Sequence, residues 1–263
     1  MKGIYGSNDR GVTMDSKEKF TSKVSDYVKY RPKYPSEFVN YLLNEVGVSR
    51  SVVADIGAGT GILTKLLAAK VKTIYAVEPN FNMRSACEGY CDEFENFVAV
   101  DGSAENTSLS DKSVDFITVA QAFHWFDRHR TKIEFQRILK TKGKVILVWN
   151  SRMAENVLIR ENDALCRDVC LEFNGFSGGS NANPESYSDF FKSGYCDYRV
   201  FENDRLLTLE TYIGSSLSAS YAPTESDDNY KEFINGLKDL FKKYSINDKL
   251  LLPHKTHSYV GEI

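Results

Sequence analysis

Apolar positions change their spacing repeatedly over the first 150 residues, and each change marks an element. Val52, Val53 and Ala54 run together, as in a strand buried on both faces, and Asp55 closes the run. After glycines at 57, 59 and 61 the period becomes that of a helix, through Ile62, Leu63, Leu66 and Leu67. Further strand-like runs cover Thr73–Val77, Phe97–Val100, Asp115–Ala120 and Lys144–Trp149. Helical patterns lie between them, one capped by Asn80 and running through Met83, Ala86 and Tyr90. Another covers Arg128–Lys140 and stops at Lys142-Gly143. Strands separated by helices at this spacing demand a parallel sheet with right-handed crossovers.

Upstream, Lys17–Tyr30 predicts a helix with Phe20, Val24 and Tyr27 on one side, broken by the prolines of Tyr30–Pro35. A second helix starts at Pro35 or Ser36, carries Phe38, Leu42 and Val46, and ends at Gly47. The second half is less regular. It predicts helices over Glu155–Phe173, Leu209–Leu217 and Tyr230–Tyr244, a loop over Asn174–Pro184, and strands over Tyr198–Phe201 and Thr256–Val260. The expected fold is α/β: a Rossmann-like, doubly wound, seven-stranded, mostly parallel sheet with a C-terminal antiparallel strand and extra helices forming a cap. Residues 1–16 read as a mobile leader and 17–263 as one domain. Within it, 17–46 would be lid helices, and 154–245 would be in part a cap over the acceptor site.

Composition narrows the function. With 42% hydrophobic and 26% charged residues the chain has ordinary globular make-up. A net charge of −3 supplies no field for nucleic acid or an anionic membrane. No apolar run approaches the roughly 20 residues of a membrane span, and the polar first twenty residues do not read as a signal peptide. The expected location is cytoplasmic, as a monomer or homodimer. Cys87/Cys91 and Cys166/Cys170 are each four apart on predicted helices, a spacing that suits packing better than zinc, so no metal is expected.

The chemistry concentrates at strand ends. A dinucleotide turn reads G-x-G-x-x-G, whereas this one reads G-x-G-x-G with Asp55 two residues before it. A carboxylate there repels a phosphate and suits a ligand carrying an amine, and Gly57 and Gly59 let backbone approach that ligand closely. Glu78 ends the second strand, where an acid can accept ribose hydroxyls or simply favour the next helix N-terminus. Ser103 and Ala104 follow the third strand, and Gln121 to Trp125 the fourth.

In order, D-I-G-A-G-T-G, V-E-P-N, D-G-S-A-E and A-Q-A-F-H-W-F-D resemble the motifs of class I S-adenosylmethionine-dependent methyltransferases. Within that class the chain is similar to the small-molecule group of trans-aconitate and ubiquinone-pathway enzymes. The resemblance implies methyl transfer from S-adenosylmethionine to an oxygen, nitrogen or carboxylate of a small acceptor, with S-adenosylhomocysteine released. It implies cofactor contacts from Asp55, Gly57, Ala58, Gly59, Pro79, Met83, Gln121 and Ala122, with Glu78 on the ribose and Ser103 and Ala104 around adenine. Many relatives carry aspartate where Ser103 stands, which weakens that carry-over. The R-P-x-Y-P stretch, with Tyr27 and Arg31, would cover the methionine end. His124 is the candidate general base, or else a buttress for Trp125. Tyr27, Tyr30, Tyr34, Phe123 and Trp125 would supply an aromatic wall. A cofactor-binding module without turnover and a macromolecular methyltransferase are the competing readings, and glycine spacing disfavours an oxidoreductase.

Overall fold

The structure, a computed structural model, describes residues 30–176, 183 and 185–263. The expected leader, residues 17–29 of the first expected helix, Tyr27 and most of the loop at 174–184 lie outside the described residues.

Five strands pair in parallel: β1 (Val52–Ile56), β2 (Thr73–Val77), β3 (Phe97–Val100), β4 (Val114–Ala120) and β5 (Leu139–Arg152). With β6 (Asp197–Glu202) and β9 (His254–Gly261) they form a seven-stranded sheet, order β3-β2-β1-β4-β5-β9-β6. β9 pairs antiparallel with both neighbours, so it alone in this sheet runs the other way. Two short strands, β7 (Arg205–Leu207) and β8 (Leu250–Leu252), make a separate ribbon. The first strands are buried on both faces because successive residues serve different layers. Val53, Ile146 and Val148 pack into one apolar cluster, while Ala54, Val145, Leu147 and Trp149 pack into another.

Helices cover both faces. α1 (Ser36–Tyr41), prolonged by a π turn over Leu42–Val46, brings Phe38, Tyr41 and Leu42 to the first cluster. Gly47 ends it at φ 87°, in the left-handed region where glycine carries no Cβ penalty. α2 (Ile62–Ala68) adds Leu63 and Leu67 to that cluster, while Cys87 and Cys91 of α3 (Phe81–Cys91) pack on Ala76. Asn80 caps α3 by accepting from the Met83 N–H at 3.0 Å. α4 (Arg128–Ile138) closes the other face with Phe135 and Ile138.

The cap has its own core. α5 (Val157–Val169), α6 (Leu209–Leu217) and α7 (Tyr230–Tyr244) bury Leu158, Ile159, Tyr212, Phe233, Leu237 and Phe241 together with Leu207, Leu250 and Leu252 of the ribbon.

Three local readings need correction. α4 stops at Ile138, two residues early, because Leu139 turns extended and pairs with Val114. Lys142 takes the left-handed turn at φ 67°, and Gly143 is needed for space: a Cβ there would stand 2.7 Å from Leu139. The helix expected over Glu155–Phe173 spans only Val157–Val169, begun by the Asn156 side chain accepting from the Leu158 N–H. The ribbon was not anticipated, since Leu250–Leu252 is uniformly apolar and alternates nothing.

Leu237, fully buried in the cap, sets the first expected outcome. Leu237→Ala costs about 2–5 kcal/mol, read as an equal loss of unfolding free energy in urea. A loss under about 0.5 kcal/mol, within the range of surface changes, would mean that the three cap helices do not form this core.

Candidate cofactor and active site

The glycine turn is fastened before it meets any ligand. The Gly57 and Ala58 N–H groups both donate to the Val77 carbonyl, at 2.9 and 3.2 Å, tying the turn to the end of β2. Gly57 has φ 67°, and a Cβ there would stand 2.7 Å from the Ala122 Cβ and 3.2 Å from the Phe126 ring. The protein itself therefore forbids a side chain at 57. Gly59 differs: its φ is 57°, yet no atom lies within 4 Å of where a Cβ would sit. Its backbone borders open space, a cradle that a side chain would fill.

Two carboxylates organise that turn. Asp55 is 1% exposed, and its two oxygens accept from Thr64 Oγ1 at 2.6 Å and Thr118 Oγ1 at 2.7 Å. The resemblance places it among the residues that hold the cofactor. In the structure it lies beneath the turn, joining β1, α2 and β4. Burial raises its carboxyl to about 6, against the two threonine hydroxyls, and the charge of Glu78 adds to the rise. Glu78 bridges outward: Oε2 accepts from the Gly59 N–H and Oε1 from the Asn80 N–H, both at 2.9 Å. Arg84 holds the Glu78 carbonyl at 2.6 Å and reaches Asp101 at 3.2 Å.

The third and fourth strand ends adjoin. Ser103 turns its hydroxyl to the Glu105 N–H at 3.3 Å, so its polar group serves its own turn, and the Ala104 side chain is buried in the core. Glu105 in turn accepts from the Asp127 N–H at 3.0 Å. Gln121 closes β4 at φ 59°, a conformation that costs a non-glycine residue and concentrates at functional sites. Its N–H donates to the Val148 carbonyl and its side-chain amide to the Asn150 carbonyl. Ala122 touches Gly57, as above, Met83 is buried, and Pro79 is exposed.

His124 is exposed at the sheet end, its ring 4.7 Å from that of Trp125 and 5.2 Å from that of Trp149. The ring lies partly desolvated between these two indoles although the residue as a whole is exposed, and this lowers its pKa below the ordinary imidazole value, so it is neutral at pH 7. The expected aromatic wall does not form as one surface. Phe123 is 1% exposed and packs on Phe190 and Tyr187, whereas Tyr34 packs on Phe38 across the sheet. Tyr30 lies on Gly214 of α6, where its ring fills the place of a Cβ, and Trp125 remains exposed. Arg31 donates to the Ser218 carbonyl at 3.4 Å, which joins the N-terminal stretch to the cap.

Sequence reasoning missed the partners that hold these groups. Thr64 and Thr118 are buried polar residues within apolar elements, a signal that was present and unused. Asn203 carries no local pattern, yet its amide donates to the Lys33 carbonyl, Asn150 Oδ1 and Thr256 Oγ1.

A parallel sheet with a braced glycine turn and an acidic residue closing the next strand is the arrangement of doubly wound α/β proteins, which take their ligands at the carboxyl ends of the strands. A methyltransferase-domain family profile matches residues 54–147. A methyltransferase-like protein of Schizosaccharomyces pombe is 28% identical over 92% of this chain and 94% of its own. An uncharacterised methyltransferase of Mycobacterium tuberculosis is 39% identical over 54% of this chain, an alignment spanning 56% of that relative. A solved structure of a candidate type II methyltransferase from Anaeromyxobacter dehalogenans shares the fold, with a TM-score of 0.64 at 20% identity, over 89% of this chain and 98% of that one. The chain thus carries a match to a methyltransferase domain over residues 54–147, is similar along most of its length to a protein named methyltransferase-like, and shares its fold with a solved methyltransferase.

Two outcomes test the braces. Glu78→Ala removes two charge-assisted hydrogen bonds and costs about 2 kcal/mol or more, whereas Glu78→Gln keeps an acceptor and retains part of that stability in thermal unfolding. Asp55 titrates upward, so its protonated form stabilises the fold fully below its ordinary value of about 3.9 and that contribution fades as pH rises through about 6. The stability of the parent relative to Asp55→Asn should fall between pH 4 and pH 7. A flat difference across that window would mean that the carboxyl is not raised.

Proposed function

We propose that this methyltransferase methylates an oxygen, nitrogen or carboxylate of a small-molecule acceptor and releases S-adenosylhomocysteine. The observation that carries the cofactor site is the unfilled left-handed backbone of Gly59, braced by Glu78 and open to a ligand. Gly57, Ala58, Gly59, Glu78, Pro79, Met83, Ser103, Ala104, Gln121 and Ala122 border that cofactor, with Tyr27 and Arg31 from the N-terminal stretch, and Asp55 acts from below through the turn. S-adenosylmethionine, when bound, supplies a methyl group already activated on a sulfonium. The chain then has to position, cover and, where needed, accept a proton.

Covering is the work of the N-terminal stretch and the cap. Arg205 donates to the Tyr30 carbonyl at 2.8 Å and Asn203 to the Lys33 carbonyl at 2.9 Å, so residues 30–33 are tied to the link between β6 and β7. A site roofed in this way suits a small acceptor, and a net charge of −3 gives nucleic acid no attraction. His124 is neutral and exposed, so its imidazole can take a proton from an acceptor O–H or N–H, and a carboxylate acceptor needs none.

Ligand at about 100 times its dissociation constant stabilises by about 2.7 kcal/mol, a rise of very roughly 5–10 °C in Tm. S-adenosylhomocysteine should produce that rise and NAD should not. Turnover follows as S-adenosylhomocysteine release against pooled metabolites. Binding without release from any pool would leave a cofactor-binding module, and release only with protein or RNA would make the acceptor a macromolecule. With an O–H or N–H acceptor, His124→Ala should lower turnover by ~10²–10⁴-fold while S-adenosylhomocysteine affinity holds. Unchanged turnover in a stable variant would remove His124 from the chemistry.

A further inference from the structure

At the amino ends of β4 and β5, the side of the sheet away from the glycine turn, the pairing of these two strands skips. Val114 pairs with Leu139 and Phe116 with Lys144, so Lys140, Thr141, Lys142 and Gly143 stand opposite Asp115 alone. An excursion of this kind re-aims the side chains it carries. It is tightly held, since a Cβ on Gly143 would lie 3.0 Å from the carbonyl oxygens of Asp115 and Lys140. Beside it, the Lys112 N–H donates to the Arg137 carbonyl at 2.9 Å, fixing the loop before β4 to the end of α4. A cavity of about 280 Å³ opens here, lined by Lys112, Lys140, Lys142 and Lys192 together with Gln136 and Thr141.

The charge on this wall runs against that of the chain. Net charge is −3, yet residues 128–144 hold seven Lys and Arg and a single acid, Glu134. The carboxylates nearby are already engaged. Arg137 takes Glu134 at 2.7 Å and Asp111 at 2.6 Å, Lys140 reaches Asp115 at 3.0 Å, and Lys192 reaches Glu262 at 3.3 Å. Among the described residues, Lys112 and Lys142 have no carboxylate partner, and both are exposed. Both also hold left-handed backbone, at φ 46° and 67°, where glycine or asparagine sits more easily than a long side chain. Turn geometry alone favours those two residue types. Lysine at both positions instead brings two ammonium groups to one cavity. Each ammonium has three donors, so Lys140 and Lys192 can serve an anion as well as their own partners.

We infer that this cavity binds a compact, multiply charged phosphate anion at a site separate from the cofactor's. Lysine recognises phosphate as a point charge, and four lysines from three segments of the chain surround this space. Gln136 and Thr141 add neutral donors. The volume is near the lower limit of small-ligand pockets, roughly 300 Å³, which suits a diphosphate better than a polymer. β5 runs from Lys144 here to Asn150 at the site, about 20 Å of strand at about 3.3 Å per residue. The two ligands therefore do not compete. Free diphosphate and the phosphate tail of a nucleotide share this chemistry, and the test separates them.

Inorganic diphosphate, ATP and a single-stranded uridine octamer are titrated by calorimetry into the protein at low ionic strength. Diphosphate should bind with a Kd below about 1 mM. Its affinity should fall about fivefold or more in Lys112→Gln and in Lys142→Gly. Lys142→Gly should keep or raise the Tm, because glycine relieves the left-handed backbone, so its loss of binding cannot come from unfolding. Lys238→Gln, at an exposed lysine of α7 in the cap, should bind as the parent does. ATP binding more tightly than diphosphate, with the same dependence on Lys112 and Lys142, assigns the anion to a nucleotide, and the reverse order assigns it to free diphosphate. No binding of diphosphate, or equal binding in parent and variants, overturns the site. An equal fall in Lys238→Gln overturns it too, since the attraction would then be diffuse. Tighter binding of the octamer than of either small anion also overturns it, and would make this face a nucleic-acid surface.

Discussion

Everything at the open end of the sheet hangs on a carboxylate that no solvent reaches. Asp55 gathers the hydroxyls of Thr64 and Thr118, and through them the strand before the glycine turn, the helix after it and the neighbouring strand β4. Two hydroxyl donors offset part of the cost of burying that charge, and its raised carboxyl value shows that the offset is incomplete. The residual cost sits next to the site, where strain and buried charge concentrate in working enzymes. Glu78 completes the design from the other side. It takes the Gly59 N–H, which the turn's left-handed geometry leaves without a helical partner.

The same economy governs the roof. One side-chain amide, that of Asn203, meets the N-terminal stretch, the end of β5 and β9. The elements that would enclose an acceptor are therefore joined by polar contacts, while their apolar cores remain separate. A joint of this kind can loosen without unfolding either core, since its hydrogen bonds can pass to water.

The sheet was legible in the chain because burial on both faces leaves an unbroken apolar run. Thr73–Val77 and Phe97–Val100 coincide with β2 and β3 residue for residue. Helices with one strong apolar stripe were equally plain, as at Tyr230–Tyr244. Glycine and acidic signals located the turn. What stayed hidden was every relation between distant residues. Nothing near Asp55 reveals that Thr118, 63 positions on, takes one of its oxygens. Phe123 has the same local look as Trp125, yet one is core and the other exposed, because only the loop at 187–190 decides which is covered.

The position of β9 has a consequence for how the chain is made. It fills the space between β5 and β6, more than a hundred residues after the first of these and some fifty after the second. A ribosome therefore releases β5 and β6 well before the strand that joins them. During that interval β5 offers an unpaired, strongly apolar edge, Val145 to Trp149, to whatever strand is near. Pairing across so long a separation is slow to form, because the intervening loop must close before any contact rewards it. The cap, whose helices α5, α6 and α7 emerge inside this interval and share a core of their own, can collapse first and shorten the search. In a crowded cell the hazard for this protein is thus an open sheet edge waiting for its last strand, a problem of timing more than of final stability.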